Sequence, residues 1–306
     1  MATIAELFTF MIYTQKPEVS FITSGVQLLD VTNTTFYSQY GHRFIRVVLE
    51  NATNFVVMIY GQKEFRYTLT NGSWIKNDAV TIVEPWANKK YMIFGDSITQ
   101  TGDPDNGDFG LLYRDNWWRT ARTALKAQSF MNFARSGAAF RHLSGASDWQ
   151  KIKYQVDYSI NQANYTPDVL IIAAGTNDGI GNVGDYDDAM SKSIDSLDLL
   201  KSADAMRYSF YKLNQAFPNA IGFVCTPIQR ASIDPSELEP FTTLLKKMAG
   251  RYGFQVIEVG AESGIVRDFE VLNGAGRDLG DGLHTLVSGK NKMTKVIAPT
   301  IKARLS

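Results

Sequence analysis

Cysteine is nearly absent from this chain of 306 residues, which holds a single one, Cys225. No disulfide can form within the chain, so its fold does not depend on covalent cross-links. This usage fits a reducing compartment, and it equally fits an extracellular domain large enough to need no cross-links. Cys225 ends an apolar run, which predicts an inert thiol in the core rather than a reactive one.

An excess of charge is also missing, because 31 Lys and Arg residues balance 31 Asp and Glu residues. The chain has no basic surplus to drive binding to nucleic acid or to an anionic membrane. No stretch approaches the length of a membrane span, and residues 1–13 lack the basic start and cleavage site of a signal peptide. Location therefore stays unknown, with an extracellular or virion-associated protein slightly favoured over a cytoplasmic one.

Hydrophobic residues are plentiful, at 44% of the chain, and two regions use them with different spacing. Residues 1–86 carry aromatic and β-branched runs at 36–40, 44–49, 55–60, 65–69, 73–75 and 79–83. They predict a small β-rich, sandwich-like accessory domain. Residues 87–306 instead alternate short strands with helical segments, which predicts parallel βαβ units in an α/β domain of three α/β/α layers.

Five strands are predicted in the second region, at 91–94, 130–134, 168–174, 221–225 and 254–259. The helical segments are predicted at 111–128, 149–163, 187–200, 203–216, 235–252 and 286–305. The adjacent Trp117 and Trp118 cannot share one helix face, so one of them is expected in the core.

Polar motifs follow these strands at the edge where open α/β sheets bind ligands. In chain order they are Gly95-Asp96-Ser97, Asn132-Phe-Ala-Arg-Ser-Gly137, Gly175-Thr-Asn177-Asp178 and Asp281-Gly-Leu-His284. Each alone is also explained as a turn, a loop or a helix cap. Together and in this order they form a specific set.

Ser97, placed directly after a strand, is the candidate nucleophile, and its hydroxyl needs a base. The chain has three histidines: His42 in the β-rich region, His142 in a loop, where a surface role is the simpler explanation, and His284. Asp281, three residues before His284, is placed to orient its imidazole. Ser97, His284 and Asp281 are therefore the predicted nucleophile, base and orienting acid.

The motif set resembles the SGNH hydrolases, also called GDSL esterases and lipases, over residues 91–306. Ile98 stands where the GDSL name has Leu, as in the GDSI branch of that family. The resemblance implies a flavodoxin-like, five-stranded parallel sheet. It also implies an oxyanion hole made by the backbone N–H groups of Ser97 and Gly137 and the Asn177 amide. Asp178 is expected to be a structural partner in its loop.

The mechanism that this family implies requires no metal and no cofactor. Residues 103–108 resemble a calcium loop in composition, but their spacing fails the EF-hand pattern and favours a polar loop. The predicted function is a serine esterase for small acyl esters, most simply O-acetyl groups on carbohydrate. The alternatives are a lipase or thioesterase of the same family, and a phage-tail or surface glycan-binding protein that carries an esterase domain. Homo-oligomer formation stays open.

Residues 1–86 are a candidate carbohydrate-binding module. Aromatic residues for a sugar-stacking face are Tyr37, Tyr40, Tyr60, Tyr67 and Trp74, although residue by residue a place in the core is the simpler explanation.

Overall fold

The computed structural model describes residues 26–30, 44–51, 54–59, 63–70, 73–76, 84–102, 107–108, 116–162, 164–179 and 181–306. The chain divides into two compact units, Met1–Glu84 and Pro85–Ser306. Two predicted strands, at 36–40 and 79–83, lie outside the described residues, as do His42 and most of the polar loop at 103–108.

The first unit contains a five-stranded sheet in which each strand pairs antiparallel with the next along the chain. Its strands are β1 (Val26–Asp30), β2 (Phe44–Asn51), β3 (Asn54–Ile59), β4 (Lys63–Thr70) and β5 (Ser73–Lys76). The last four coincide with aromatic and β-branched runs, whereas β1 follows no such strong run and was not predicted. A sandwich and a carbohydrate-binding role for this unit stay predictions.

The second unit is built on a five-stranded parallel sheet with the order β10-β9-β8-β6-β7. Its strands are β6 (Lys90–Gly95), β7 (Ser129–Asn132), β8 (Val169–Ala173), β9 (Ile221–Cys225) and β10 (Gln255–Ile257). Counted from β6, this is the 2-1-3-4-5 order of flavodoxin-like folds. The α/β fold class predicted for residues 87–306 is confirmed.

Seven α-helices lie in the described part of this unit, with short 3₁₀ turns between some of them. They are α1 (Trp117–Ala124), α2 (Ile152–Ile160), α3 (Tyr186–Ser191), α4 (Ser202–Ala216), α5 (Pro235–Arg251), α6 (Val259–Glu262) and α7 (Val287–Leu305). None of the helices in the described ranges is long and apolar enough to cross a membrane.

Both faces of the sheet are covered, and successive residues of β6 alternate between them. Met92 and Phe94 pack into the cluster that contains α2, α4 and α5. Tyr91 and Ile93 pack into the cluster with α1 and α7 on the opposite face. A parallel strand buried on both faces reads as a continuous apolar run, which is why β6 was recognisable in the sequence.

Two predictions for the helices were wrong. The segment 187–200 is not one helix, because α3 ends at Ser191. The Arg207 guanidinium donates hydrogen bonds to the carbonyl oxygens of Ala189 and Lys192 near this end. Trp117 and Trp118 are both fully buried. The indole of Trp117 donates to Thr99 Oγ1 at 3.2 Å, while the ring of Trp118 packs on Tyr91, so sheet and turn enclose both.

We predict that Gly95→Ala destabilises the protein by about 1–3 kcal/mol, the range for overpacking. A Cβ at Gly95 would lie 2.4 Å from the Ala173 carbonyl oxygen, where β6 and β8 pair side by side. Gly250 in α5 has nothing within 4 Å of such a Cβ, so Gly250→Ala is the matched control and should be neutral or slightly stabilising. Urea unfolding measures both; similar free energies for the two variants would contradict the tight packing at Gly95.

Candidate active site

The turn that follows β6 leaves Ser97 partly exposed and buries the residues on either side of it. Asp96 Oδ1 accepts the Ile98 backbone N–H at 3.0 Å, and Asp96 O accepts the N–H groups of Thr99 and Gln100 at 3.1 and 2.9 Å. Asp96 and Ile98 are 2% and 7% exposed, whereas Ser97 is partly exposed. The strand end therefore offers one hydroxyl to solvent at the carboxyl edge of the sheet.

His284 reaches this hydroxyl from a turn just before α7. Its Nε2 lies 2.9 Å from Ser97 Oγ, and its Nδ1 lies 2.7 Å from Asp281 Oδ2. An ionised carboxylate only accepts hydrogen bonds, so the ring proton belongs on Nδ1 and Nε2 is free to accept the Ser97 proton. The structure thus brings the three residues predicted from the sequence into one hydrogen-bonded chain.

The turn from Asp281 to His284 holds its own geometry. Asp281 Oδ1 accepts the backbone N–H groups of Leu283 and His284 at 3.0 and 2.7 Å. Burial raises the pKa of Asp281, but the hydrogen bonds from His284 and Leu283 outweigh it and lower the pKa to about 2. Asp281 is therefore ionised in neutral and mildly acidic solution, which fixes the tautomer of the imidazole.

Candidate oxyanion donors come from the ends of β6, β7 and β8. No described residue accepts a hydrogen bond from the backbone N–H of Ser97 or of Gly137. Gly137 has φ +78°, a left-handed conformation that favours glycine, and a Cβ there would lie 2.5 Å from Gln150 Nε2. Asn177 Nδ2 donates to Ala138 O at 3.0 Å, which orients its amide and leaves a second N–H.

Residues 91–297, more than half of the chain, match the family described as GDSL-like Lipase/Acylhydrolase. The chain belongs to this family. The resemblance stated from the four motifs is confirmed, and the serine, histidine and aspartate geometry lies within the matched residues.

Solved structures share the fold of this GDSL-like protein. A possible lipase from Chitinophaga pinensis DSM 2588 has a TM-score of 0.54 at 16% identity, covering 72% of this chain and 100% of the other. A putative GDSL-like lipase from Bacteroides ovatus ATCC 8483 has a TM-score of 0.51 at 17% identity, covering 71% and 99%. A protein from Lactobacillus plantarum has a TM-score of 0.53 at 16% identity, covering 71% and 98%. Among curated proteins, none matches this chain significantly.

Asp178 anchors the loop that carries the GDSL-like protein's Asn177. Its carboxyl oxygens accept the N–H groups of Phe140 and Arg141 and the Ser202 hydroxyl, each at 3.0 Å. Complete burial raises its pKa to about 6, against the effect of these donors. This is the structural role expected for the residue beside Asn177.

Asp96 is the other buried carboxyl next to the GDSL-like serine. Burial raises its pKa to about 7; the Ile98 N–H opposes the rise, the Asp178 carboxylate adds to it and His284 counters it. It lines a cavity of about 20 Å³, open in part to solvent, together with Thr99, Thr176 and Thr226 and several apolar side chains. A space of this size favours small occupants.

Several supporting side chains were missed by sequence reasoning. Gln155 Oε1 and Nε2 bind the backbone N–H and C=O of Gly95 at 3.1 and 3.0 Å, and Gln100 Oε1 accepts the Ser136 N–H at 3.1 Å. No motif contains Gln155, and only its position in α2 beneath β6 explains the contact. Adjacency to the Gly95-Asp-Ser97 motif was the one signal that pointed to Gln100.

The remaining candidates do not join this site. His142 is partly buried, and its Nε2 has no hydrogen-bond partner among the residues that the structure describes. Cys225 is buried, and burial raises the pKa of its thiol to about 12, so it is unreactive as expected. Within the described part of the chain, no group of three or more His, Cys, Asp or Glu side chains is arranged to hold a metal ion.

We predict that Asp281→Asn lowers kcat by about 10²–10⁴ without unfolding the protein. The Asn oxygen can still accept the backbone N–H groups, but its amide would donate to His284 Nδ1 and leave the ring proton on Nε2. Steady-state kinetics on a p-nitrophenyl ester measures the loss, and thermal unfolding checks the fold. Wild-type kcat in a folded variant would show that Asp281 does not set the tautomer.

Proposed function

We propose that this GDSL-like acylhydrolase is a serine esterase that removes small acyl groups, acetyl above all, from carbohydrate. The observation that carries the proposal is the hydrogen-bonded chain from Ser97 Oγ to His284 Nε2 at 2.9 Å and from His284 Nδ1 to Asp281 Oδ2 at 2.7 Å. In the described chain this is the arrangement that can activate a serine hydroxyl.

The proposed reaction begins when Ser97 Oγ attacks the ester carbonyl and passes its proton to His284 Nε2. The Asp281 carboxylate stabilises the imidazolium that forms. The N–H groups of Ser97 and Gly137 and the amide of Asn177 receive the negative oxygen, and each such donor is worth about 3–4 kcal/mol in the transition state. His284 then gives the proton to the departing alcohol oxygen, and water attacks the acyl-enzyme with His284 again acting as base.

Preference for short acyl groups rests on the small size of the cavity beside the serine turn. Its volume is about 20 Å³, and it is lined by Asp96, Thr176 and Thr226 together with apolar side chains. A space of that size accepts little more than one water-sized group, so it has no room for a long alkyl chain. An acetyl ester does not need such room.

A second candidate function is a lipase-type activity on longer acyl chains. Val271 and Leu272 are 51% and 60% exposed. A Cβ at Gly282 would lie 2.6 Å from Val271 O and 3.3 Å from Leu272 Cα, so these residues lie against the turn that carries His284. This exposed apolar edge is the observation that favours an apolar substrate.

A series of p-nitrophenyl esters separates the two functions. We predict the highest kcat/KM for acetate and a fall through butyrate to octanoate. An apolar acyl groove would instead add about 0.8 kcal/mol of binding per methylene and raise kcat/KM along the series. Ser97→Ala is the control and should lose several decades of activity on every ester, since removal of the nucleophile disables the whole unit. Residual activity near wild type would refute the esterase mechanism itself.

The first unit, Met1–Glu84, is proposed to bind the glycan that carries the ester. A chain that begins at Ala87 should then keep its rate on p-nitrophenyl acetate and lose rate on an acetylated polysaccharide. The reason is that a tethered binding unit raises the local substrate concentration without touching the chemistry. Equal loss on both substrates would indicate a structural role, and equal retention would remove the glycan-binding proposal.

A further inference from the structure

Arg230 lies beside the turn that carries the proposed base. It belongs to the segment that follows β9 and forms an isolated bridge with Ile233. The next residue, Ala231, donates its backbone N–H to Gly282 O at 2.9 Å. This bond joins the segment to the turn between Asp281 and His284.

The guanidinium of Arg230 is partly buried and has no acceptor among the described residues. Its Nε is inaccessible to solvent and has no hydrogen-bond partner there. Arg267 Nε is unpaired as well, but Arg267 Nη1 binds Asp234 at 3.1 Å. Arg277 Nε binds Asp278 at 2.8 Å, and Arg141 Nε donates to Asp178 O at 2.9 Å. The terminal nitrogens of Arg230 are not among these inaccessible atoms, so a ligand oxygen that pairs with them gains affinity.

The electrostatic surroundings of Arg230 favour a single negative charge. Burial lowers the pKa of its guanidinium, and the Asp96 carboxyl, directly before Ser97, acts against this decrease. Arg230 therefore lies within electrostatic range of the nucleophile turn. One guanidinium carries one positive charge, which a monoanion such as a carboxylate neutralises.

The side on which Arg230 lies decides which part of an ester it meets. His284 must protonate the departing alcohol oxygen, so the alcohol part of the substrate lies on the His284 side of Ser97. The oxyanion donors Gly137 and Asn177 follow β7 and β8, whereas Arg230 follows β9 and pairs with the His284 turn. A group held by Arg230 thus belongs to the alcohol and not to the acyl chain.

We propose that Arg230 binds a carboxylate in the alcohol part of the ester, so that the preferred substrate is an acylated acidic sugar of the uronic-acid type. The guanidinium fork matches a carboxylate with two parallel hydrogen bonds. This inference rests on the proposed esterase function and adds the charge of its substrate.

Two small esters of nearly equal size test it: 4-acetoxybenzoate, which is anionic, and 4-acetoxybenzamide, which is neutral. The ratio of their kcat/KM values is measured for the wild type, Arg230→Gln, Arg230→Lys and Arg251→Gln. We expect Arg230→Gln to lower the benzoate-to-benzamide ratio by about tenfold or more, chiefly through KM, because it removes a charge-assisted hydrogen bond. Arg230→Lys should keep part of the preference, since it retains the charge.

Arg251→Gln is the control for net charge, because Arg251 is exposed at the end of α5, before the amino end of β10 and away from the site. Its ratio should equal that of the wild type.

An unchanged ratio in Arg230→Gln, or equal losses on both esters, would overturn the proposal. Failure of the esterase function gives a different result, namely that neither ester is hydrolysed in a Ser97-dependent way. The same comparison can be made on polymers, with acetylated polygalacturonate as the anionic substrate and acetylated xylan as the neutral one. We expect Arg230→Gln to lower the rate on polygalacturonate relative to the rate on xylan.

Discussion

The carbonyl oxygen of Thr99 is the point on which the arrangement around Ser97 depends. It accepts Asn116 Nδ2 at 2.9 Å and Asn132 Nδ2 at 2.8 Å. Asn116 also caps α1, and Asn132 ends β7, so one buried oxygen ties the serine turn to both elements. From α1 the link continues, because Thr294 of α7 donates to Trp117 O at 3.1 Å. These hydrogen bonds fix the position of α7, which follows His284, relative to β6, which precedes Ser97.

Three carboxyl groups around this turn differ in charge state because their surroundings differ. Burial raises the pKa of Asp96 to about 7 and that of Asp178 to about 6. Asp281 keeps 52% of its side chain exposed and accepts three hydrogen bonds from two residues, which lowers its pKa to about 2. The same residue type therefore serves as a buried anchor in one place and as a permanent anion in another.

Sequence reasoning found the residues whose identity is set by local position and missed those whose role depends on distant contacts. Ser97, Asn177 and His284 follow recognisable strands or precede a helix, and parallel strands bring such ends to one edge of the sheet. Gln155 binds a backbone 60 residues away, and the role proposed for Arg230 depends on the pairing of its segment with Gly282. The predicted helix at 187–200 failed for the same reason, since a distant arginine binds the carbonyl groups near its actual end.

Sequence separation divides the three-residue chain into a local part and a remote part. Asp281 and His284 are three residues apart, so their pairing costs little loop-closure entropy, whereas Ser97 and His284 are 187 residues apart. The imidazole and carboxylate can be arranged by one turn as soon as that turn forms. The contact with the serine hydroxyl needs α7 docked on α1 and the sheet complete. Contacts between residues so far apart in sequence form late and cooperatively in folding. Catalytic activity would therefore report that the second unit is fully folded.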